Sequence, residues 1–331
     1  MQKEYEFQSK GEICLGTQTQ KGKAFEYACL QSLYNTLNEN QEVLIEENSA
    51  LNVAKKYFNN LDLRTCIKMN KGANAAVSII LQVEPQLQNP FDNKPLILSI
   101  QEDSKGITGD VRDILCIRRQ NNWEIGLSCK HNHTAIKHSR LSDVNDFGES
   151  WFSIPCSKQY FDDIIPIFSE LRKMKKHGIY WRDIKDKEKK YYIPILQAFI
   201  NELNRLGDSK SENIPESLLK YLLGNYDFYK IITIDSKKTT QVQCFNINGT
   251  LNRNAGKVKP LIKIPKLPMP YRIFDISFKP NSNNTIIITL DNGWTISMRI
   301  HNASSLIEPS LKFDAQLTGV PPVLYSHFQA W

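Results

Sequence analysis

The 331-residue sequence predicts a mixed α/β (α+β) fold, a central sheet flanked by helices with a β-rich C-terminal region. Three observations point there. Helical apolar periodicity covers about 21–38, 48–59 and 72–84, and returns at about 158–177, 187–206 and 214–223. Apolar runs of strand length lie between those two groups. Beyond residue 224 the apolar period shortens to two.

In chain order, the first helix has apolar residues at 25, 29, 30, 33 and 37, one stripe at about 100° per residue. Pro85 to Pro95 reads as a loop, and Leu96 to Gln101 as a strand able to extend a following hairpin into a three-stranded meander. The later helices are expected to stop at Gly178, Gly207 and Gly224, the residue type that a left-handed helix end prefers. Asp208-Ser209-Lys210-Ser211-Glu212-Asn213 is polar and marks a boundary. The expected division is therefore a core over 1–207, a linker and connecting helix over 208–224, and a β-rich region over 225–331. In that region Phe228–Ile234, Thr285–Leu290 and Trp294–Ile300 read as strands, the last two joined by the hairpin turn Asp291-Asn292-Gly293. No internal repeat is present.

Composition excludes more than it selects. The chain is 41% hydrophobic, enough for one large domain or two modest ones. Its net charge of +7 and pI near 8.9 have the sign that suits a polyanionic partner. The seven cysteines (14, 29, 66, 116, 129, 156, 244) are odd in number and form no CxxC pair, which argues against a disulfide framework or a zinc knuckle. The N-terminus carries no apolar targeting segment and no run approaches 18 apolar residues. The expectation is a soluble, cytoplasmic chain with no membrane partner.

The hairpin carries the chemistry. Gly109-Asp110-Val111-Arg112-Asp113-Ile114-Leu115-Cys116-Ile117-Arg118-Arg119 and Trp123-Glu124-Ile125-Gly126-Leu127-Ser128-Cys129-Lys130 flank an Asn-rich turn. A turn of two or of four residues puts Asp113 opposite Ser128. Side chains alternate along a strand, so Glu124, Gly126, Ser128 and Lys130 share one face, and opposed residues share a face. Asp113 and Lys130 then lie on one side, a diagonal step apart, and Asp110 on the other. An odd-length turn would reverse the choice in favour of Asp110.

An acid beside a lysine suits metal-dependent phosphodiester hydrolysis, in which divalent ions polarise the phosphate and orient water. Hard ions such as Mg²⁺ take carboxylate oxygens, and a lysine stabilises the developing charge or orients the water. One carboxylate is seldom enough. Ser128 stands where a second would be most useful. Glu124 is on the right face but about 20 Å from Lys130 along an extended strand, at about 3.3 Å per residue. Glu26 sits within the apolar stripe of the first helix, in line with Leu30, Leu33 and Leu37, where a carboxylate is costly unless paired or metal-bound. The plainer reading of Glu26 is a helix-start acid favoured by the dipole. Asp143, Asp146 and Glu149 are alternative donors.

Together with His131-Asn132-His133, Ile136-Lys137-His138-Ser139-Arg140-Leu141-Ser142, Asp146-Phe147-Gly148 and Trp151-Phe152, this hairpin resembles the HaeIII family of type II restriction endonucleases, within the wider PD-(D/E)XK nuclease superfamily. The resemblance implies a PD-(D/E)XK core that cuts double-stranded DNA with Mg²⁺ at a short palindrome, GGCC for the family's namesake, leaving 5′-phosphates. It matches Asp113 to the superfamily's first acid and Lys130 to its lysine. Ser128 departs from the usual Asp or Glu, a gap that Glu26 would fill from its helix. A two-fold dimer on the palindrome, within a restriction–modification system, also follows from the resemblance. The competing functions are a repair or structure-selective nuclease on the same core, and a basic DNA-binding protein without catalysis.

The segment after the lysine, with His131, His133, Lys137, His138 and Arg140, is expected to contact DNA, with Lys137, His138 and Arg140 opening a helix toward phosphates. The plain alternative is a solvated basic face. A zinc site from Cys129, His131, His133 and His138 fits no common spacing, and His131-Asn132-His133 is not the widely spaced HNH motif. Base readout needs Arg, Lys, Asn or Gln. Arg253, Asn254, Lys257, Lys259, Arg272, Asn281, Asn283, Asn284 and Arg299 supply candidates in the C-terminal region. The proline-spaced basic stretch from Lys259 to Pro270 is either a solvated loop or an arm that tracks DNA.

Overall fold

The computed structural model describes residues 17–88, 94–102, 109–208 and 213–331. The N-terminal residues with Cys14, the middle of the expected 85–95 loop and most of the 208–213 boundary lie outside the described residues.

Helix α1 (Thr17–Leu37) buries Phe25, Cys29, Leu30, Leu33 and Leu37 along the stripe. Helix α2 (Ser49–Asn59) is capped by Asn48, whose side chain accepts from Leu51 N at 2.8 Å. Helix α3 (Leu63–Val83) starts nine residues before its apolar pattern does, because Asp62 caps it through Thr65 N while Leu63 and Ile67 face solvent. Strands β1 (Val43–Ile45), β2 (Leu96–Ile100), β3 (Ile114–Arg118) and β4 (Trp123–His131) follow, and β2, β3 and β4 form the expected antiparallel meander.

Strand β5 (Lys137–Leu141) corrects an expectation. These residues open no helix. Their backbone pairs with β11 (Leu311–Gly319), Lys137 opposite Ala315 and Leu141 opposite Leu311. Helix α4 (Phe147–Phe152) begins later, capped by Asp146. Helices α5 (Lys158–Lys176), α6 (Ile193–Gly207) and α7 (Ile214–Leu223) come next. Gly178 and Gly224 take positive φ, +67° and +85°. Gly207 does not; it is the last helical residue, and Asp208 follows at φ −77°.

The remaining strands are β6 (Phe228–Ile234), β7 (Thr239–Phe245), β8 (Ile273–Phe278), β9 (Thr285–Leu290), β10 (Thr295–His301) and β12 (Ser326–Ala330). One seven-stranded mixed sheet runs β1-β2-β3-β4-β6-β7-β12, and a five-stranded antiparallel sheet runs β5-β11-β10-β9-β8. Residues 225–331 therefore contribute to both sheets, and β5 crosses from the expected N-terminal core into the second sheet. Two apolar cores result. One packs α1, α2 and α3 against Ile114, Cys116, Ile125, Leu127 and Cys129 of the first sheet. The other joins α4 to α7 with the second sheet. Glu124, Gly126, Ser128 and Lys130 project from β4 away from the first core. No helix among the described residues is long and apolar enough to cross a membrane.

Candidate active site

The β3–β4 turn has four residues between Arg118 and its partner Trp123: a 3₁₀ turn over Arg119–Asn121, then Asn122 at φ +44°. Ile114 pairs with Leu127, and Asp113 N donates to Leu127 O at 2.7 Å, so one further step places Asp113 across from Ser128. The Asp113 carboxylate sits at the end of β3, where it accepts from Cys129 N at 2.6 Å and from Lys130 Nζ at 3.1 Å, all through Oδ2. Ser128 Oγ is 3.4 Å from the same oxygen, a weak contact. Burial works against the charged form of Lys130, but Asp113 and then Glu26 outweigh it and raise the amine's pKa.

Helix α1 lies over β4 and carries Glu26 to this end of the hairpin. Glu26 is only 6% exposed and takes a hydrogen bond from Lys23 Nζ at 3.0 Å. Burial, and after it the charge of Asp113, pushes its carboxyl up to about 8, with Lys23 and Lys130 opposing. Asp113 and Lys130 are thus in direct contact, and Glu26 on α1 is near enough for its charge to act on both.

Asp110 and Glu124 are held apart from them by Arg112. Its Nε and Nη2 donate to Asp110 Oδ1 and Oδ2 at 2.8 and 2.7 Å, and its Nη1 to Glu124 Oε1 at 2.7 Å. Burial would raise the Asp110 pKa, but hydrogen bonds from Arg112 and Gln101 hold it below the usual range. The guanidinium lies 4.1 Å from the Tyr226 ring centroid. Gly126 makes room for this side chain, since a Cβ there would sit 2.0 Å from Arg112 Cδ.

A cleft of about 590 Å³ opens over these groups, lined by Asp110, Arg112, Asp113, Lys130, Lys137 and His138 among others. The structure does not bring His131 to it. That ring is 3% exposed on the α1 side, with Nε2 3.3 Å from Asp235 Oδ2 and its centroid 5.9 Å from that of Phe25. His133 packs on the His138 ring, and His138 Nδ1 meets Asp314 Oδ1 at 2.7 Å. Arg140 is exposed and paired with Glu308 at 2.6 Å. Cys129 and His131 thus face away from His133 and His138, and among the described residues no three metal-binding side chains of the His, Cys, Asp or Glu types are gathered. Asp143 pairs with Arg172, and Asp146 caps α4 and accepts from Cys156 N, so neither lines the cleft; Glu149 is exposed. The described cleft-lining residues include none of the nine base-readout candidates of the C-terminal region.

Four residues near the site escaped the sequence reading. Gln101 and Glu102 follow β2 into the cleft. Lys23 is signalled by its i, i+3 spacing from Glu26. Lys230 stands opposite Ser128 on β6, 4% exposed, with Nζ donating to Thr134 O at 2.7 Å; burial and then Lys130 pull its pKa down to about 7. Nothing local in Phe228–Ile234 signals that pairing.

A model of the HaeIII restriction endonuclease family matches residues 22–321, which include Glu26, Asp113 and Lys130. The type II restriction enzyme HaeIII of Haemophilus aegyptius is 47% identical over 310 residues, covering 94% of this chain and 97% of that enzyme. The chain belongs to the HaeIII restriction endonuclease family. No solved structure matches it. Membership makes this HaeIII-family chain a type II site-specific deoxyribonuclease, and such enzymes use a divalent metal. The donors at the Asp113 end fit a hard ion: carboxylate oxygens from two elements, one of them a buried Glu26 whose raised pKa a nearby cation would reverse.

Proposed function

We propose that this HaeIII-family enzyme cleaves double-stranded DNA at GGCC, the palindrome associated with the family's namesake, using Mg²⁺ and leaving 5′-phosphates. What supports this reading is the Asp113–Lys130 pair, 3.1 Å apart at one end of the hairpin, with the buried Glu26 close enough to feel both charges. Asp113 and Glu26 would hold the ion, which when bound polarises the scissile phosphate and neutralises the leaving oxygen. Lys130, kept charged by the two acids, stabilises the negative charge that develops on the phosphate or orients the attacking water. Glu26 must give up its proton to serve as a ligand. Ser128 and Cys129 N instead steady Asp113. Lys137 and His138 in the cleft wall contact the DNA backbone, and residues 225–331 supply base readout. A two-fold dimer places one such site on each strand of the palindrome.

Digesting plasmid with and without Mg²⁺ and sequencing the fragment ends tests this reading. Discrete fragments ending at one palindrome are expected. Ends at varied sequences or at unusual structures would indicate a repair-type nuclease, and a gel shift without cutting would sink catalysis altogether.

A further inference from the structure

The cleft continues into a side pocket of about 330 Å³, and Lys137, Ser150 and Tyr221 line both. The two differ in charge. Glu102, Asp110 and Asp113 line the cleft together with Arg112, Lys130, Lys137 and His138. The described lining of the side pocket carries Lys137 and Lys220 and no acid.

Its walls are rigid. Trp151 of α4 stacks on Tyr221 of α7 with centroids 4.4 Å apart and planes at 16°. Lys137 Nζ lies 3.8 Å over the Tyr221 ring and donates to Tyr221 O at 2.8 Å. That leaves two of the three ammonium donors for a ligand. Lys220 bonds Glu216 Oε1 at 2.7 Å, an i, i+4 surface pair of the weak kind that an anion can displace. Asn225 lies across Gly109, where an added Cβ would be 2.7 Å from its Nδ2. Gly109 is at φ +83°, so the backbone can come this close only because the residue is glycine. The pocket therefore offers two ammonium groups and a carboxamide in a concave site beside a cleft of mixed charge.

We infer that this side pocket seats a non-scissile phosphate of the cleaved DNA strand, held by Lys137, Lys220 and Asn225. The inference rests on the nuclease reading of the adjoining cleft. Acids and bases are mixed in the cleft, whereas the described lining of the adjoining pocket carries only cations.

The test uses the whole protein and a duplex bearing the site that the wild type cuts, with one neutral methylphosphonate moved through each phosphate flanking the cut. Binding is measured without divalent ion, apart from cutting. For wild type, one flanking position weakens binding roughly tenfold when neutralised, the size expected for one charge-assisted contact. Lys220→Gln, a change at an exposed helix position, weakens binding to unmodified DNA by a similar factor and lowers the salt slope of binding by about 1. It also abolishes the sensitivity to that one methylphosphonate. A Lys220→Gln protein with unchanged affinity, salt slope and interference pattern overturns the pocket alone. A wild-type protein that does not cut overturns the nuclease reading and the pocket together.

Discussion

Two acid–base groups of opposite character lie at one hairpin, the second completed by Glu26 of α1. In Asp110–Arg112–Glu124 a guanidinium fork satisfies both oxygens of one acid and one of the other, and Gly126 lets it lie flat on the strand. In Asp113–Lys130–Glu26 the cation is a point charge with three donors, Asp113 contacts it, and Glu26 beyond keeps its proton up to about 8. The first group is closed and holds the entry to β3 in place. The second leaves Asp113 bonded through Oδ2 alone, and both groups border the cleft. On the proposed reading, the saturation of each acid, more than its place in the chain, is what separates a scaffold from a site.

The sharpest way to break this comparison is to exchange the roles. Asp113→Asn and Lys130→Ala are each expected to lower cleavage at least a hundredfold while circular dichroism and thermal midpoint stay near wild type. If Asp110→Asn silences a folded protein and Asp113→Asn still cuts, the assignment is reversed. Next in size, Arg112→Met leaves two acids without their cation, one of them buried, and should cost about 3–5 kcal/mol of stability in urea unfolding. A loss under 1 kcal/mol would mean that the closed group is not a scaffold.

Proton linkage gives a third test. Glu26 in the folded chain holds its proton up to about 8, against an ordinary value of 4.5. Its contribution to stability is thus full below 4.5 and lost as pH rises toward and through 8, at up to about 1.4 kcal/mol per pH unit. The thermal midpoint of wild type should fall relative to that of Glu26→Gln between pH 5 and 8, and divalent ion should narrow the gap. Cleavage should rise with pH over the same window. Parallel melting curves for the two proteins would remove Glu26 from the site. The smallest effect belongs to Glu124→Gln at the exposed rim of the closed group, less than 1 kcal/mol and no loss of cutting.

Much of this was legible in sequence because it is local. The β2–β3–β4 meander and the placing of Asp113 opposite Ser128 follow from period-two patterning and an even-length turn, and a buried Glu26 follows from its place in an apolar stripe. What was missed depends on distant partners. In β5 only Ser139 and Leu141 turn inward, and a small polar residue at one of two buried positions hides the alternation. The partner strand, β11, lies some 170 residues away. Lys230 reads as a lone polar residue in an apolar strand until β6 is laid against β4. Gly207 looked like a helix stop because glycine so often is one, but Asp208 ends α6 without leaving the right-handed region.

The parallel pairing of β4 with β6 has a consequence for biosynthesis. Strand β3 is made a few residues before β4, but the strand on the far side of Lys130 is made about a hundred residues later, and β12, which closes the β7 edge, comes at the very end. Such long-range pairing forms late in folding. A growing or prematurely terminated chain therefore holds Asp113 and Lys130 on an incomplete sheet. On the proposed reading, a chain truncated before β6 is expected to show no cleavage, which digestion of plasmid by such a fragment would check.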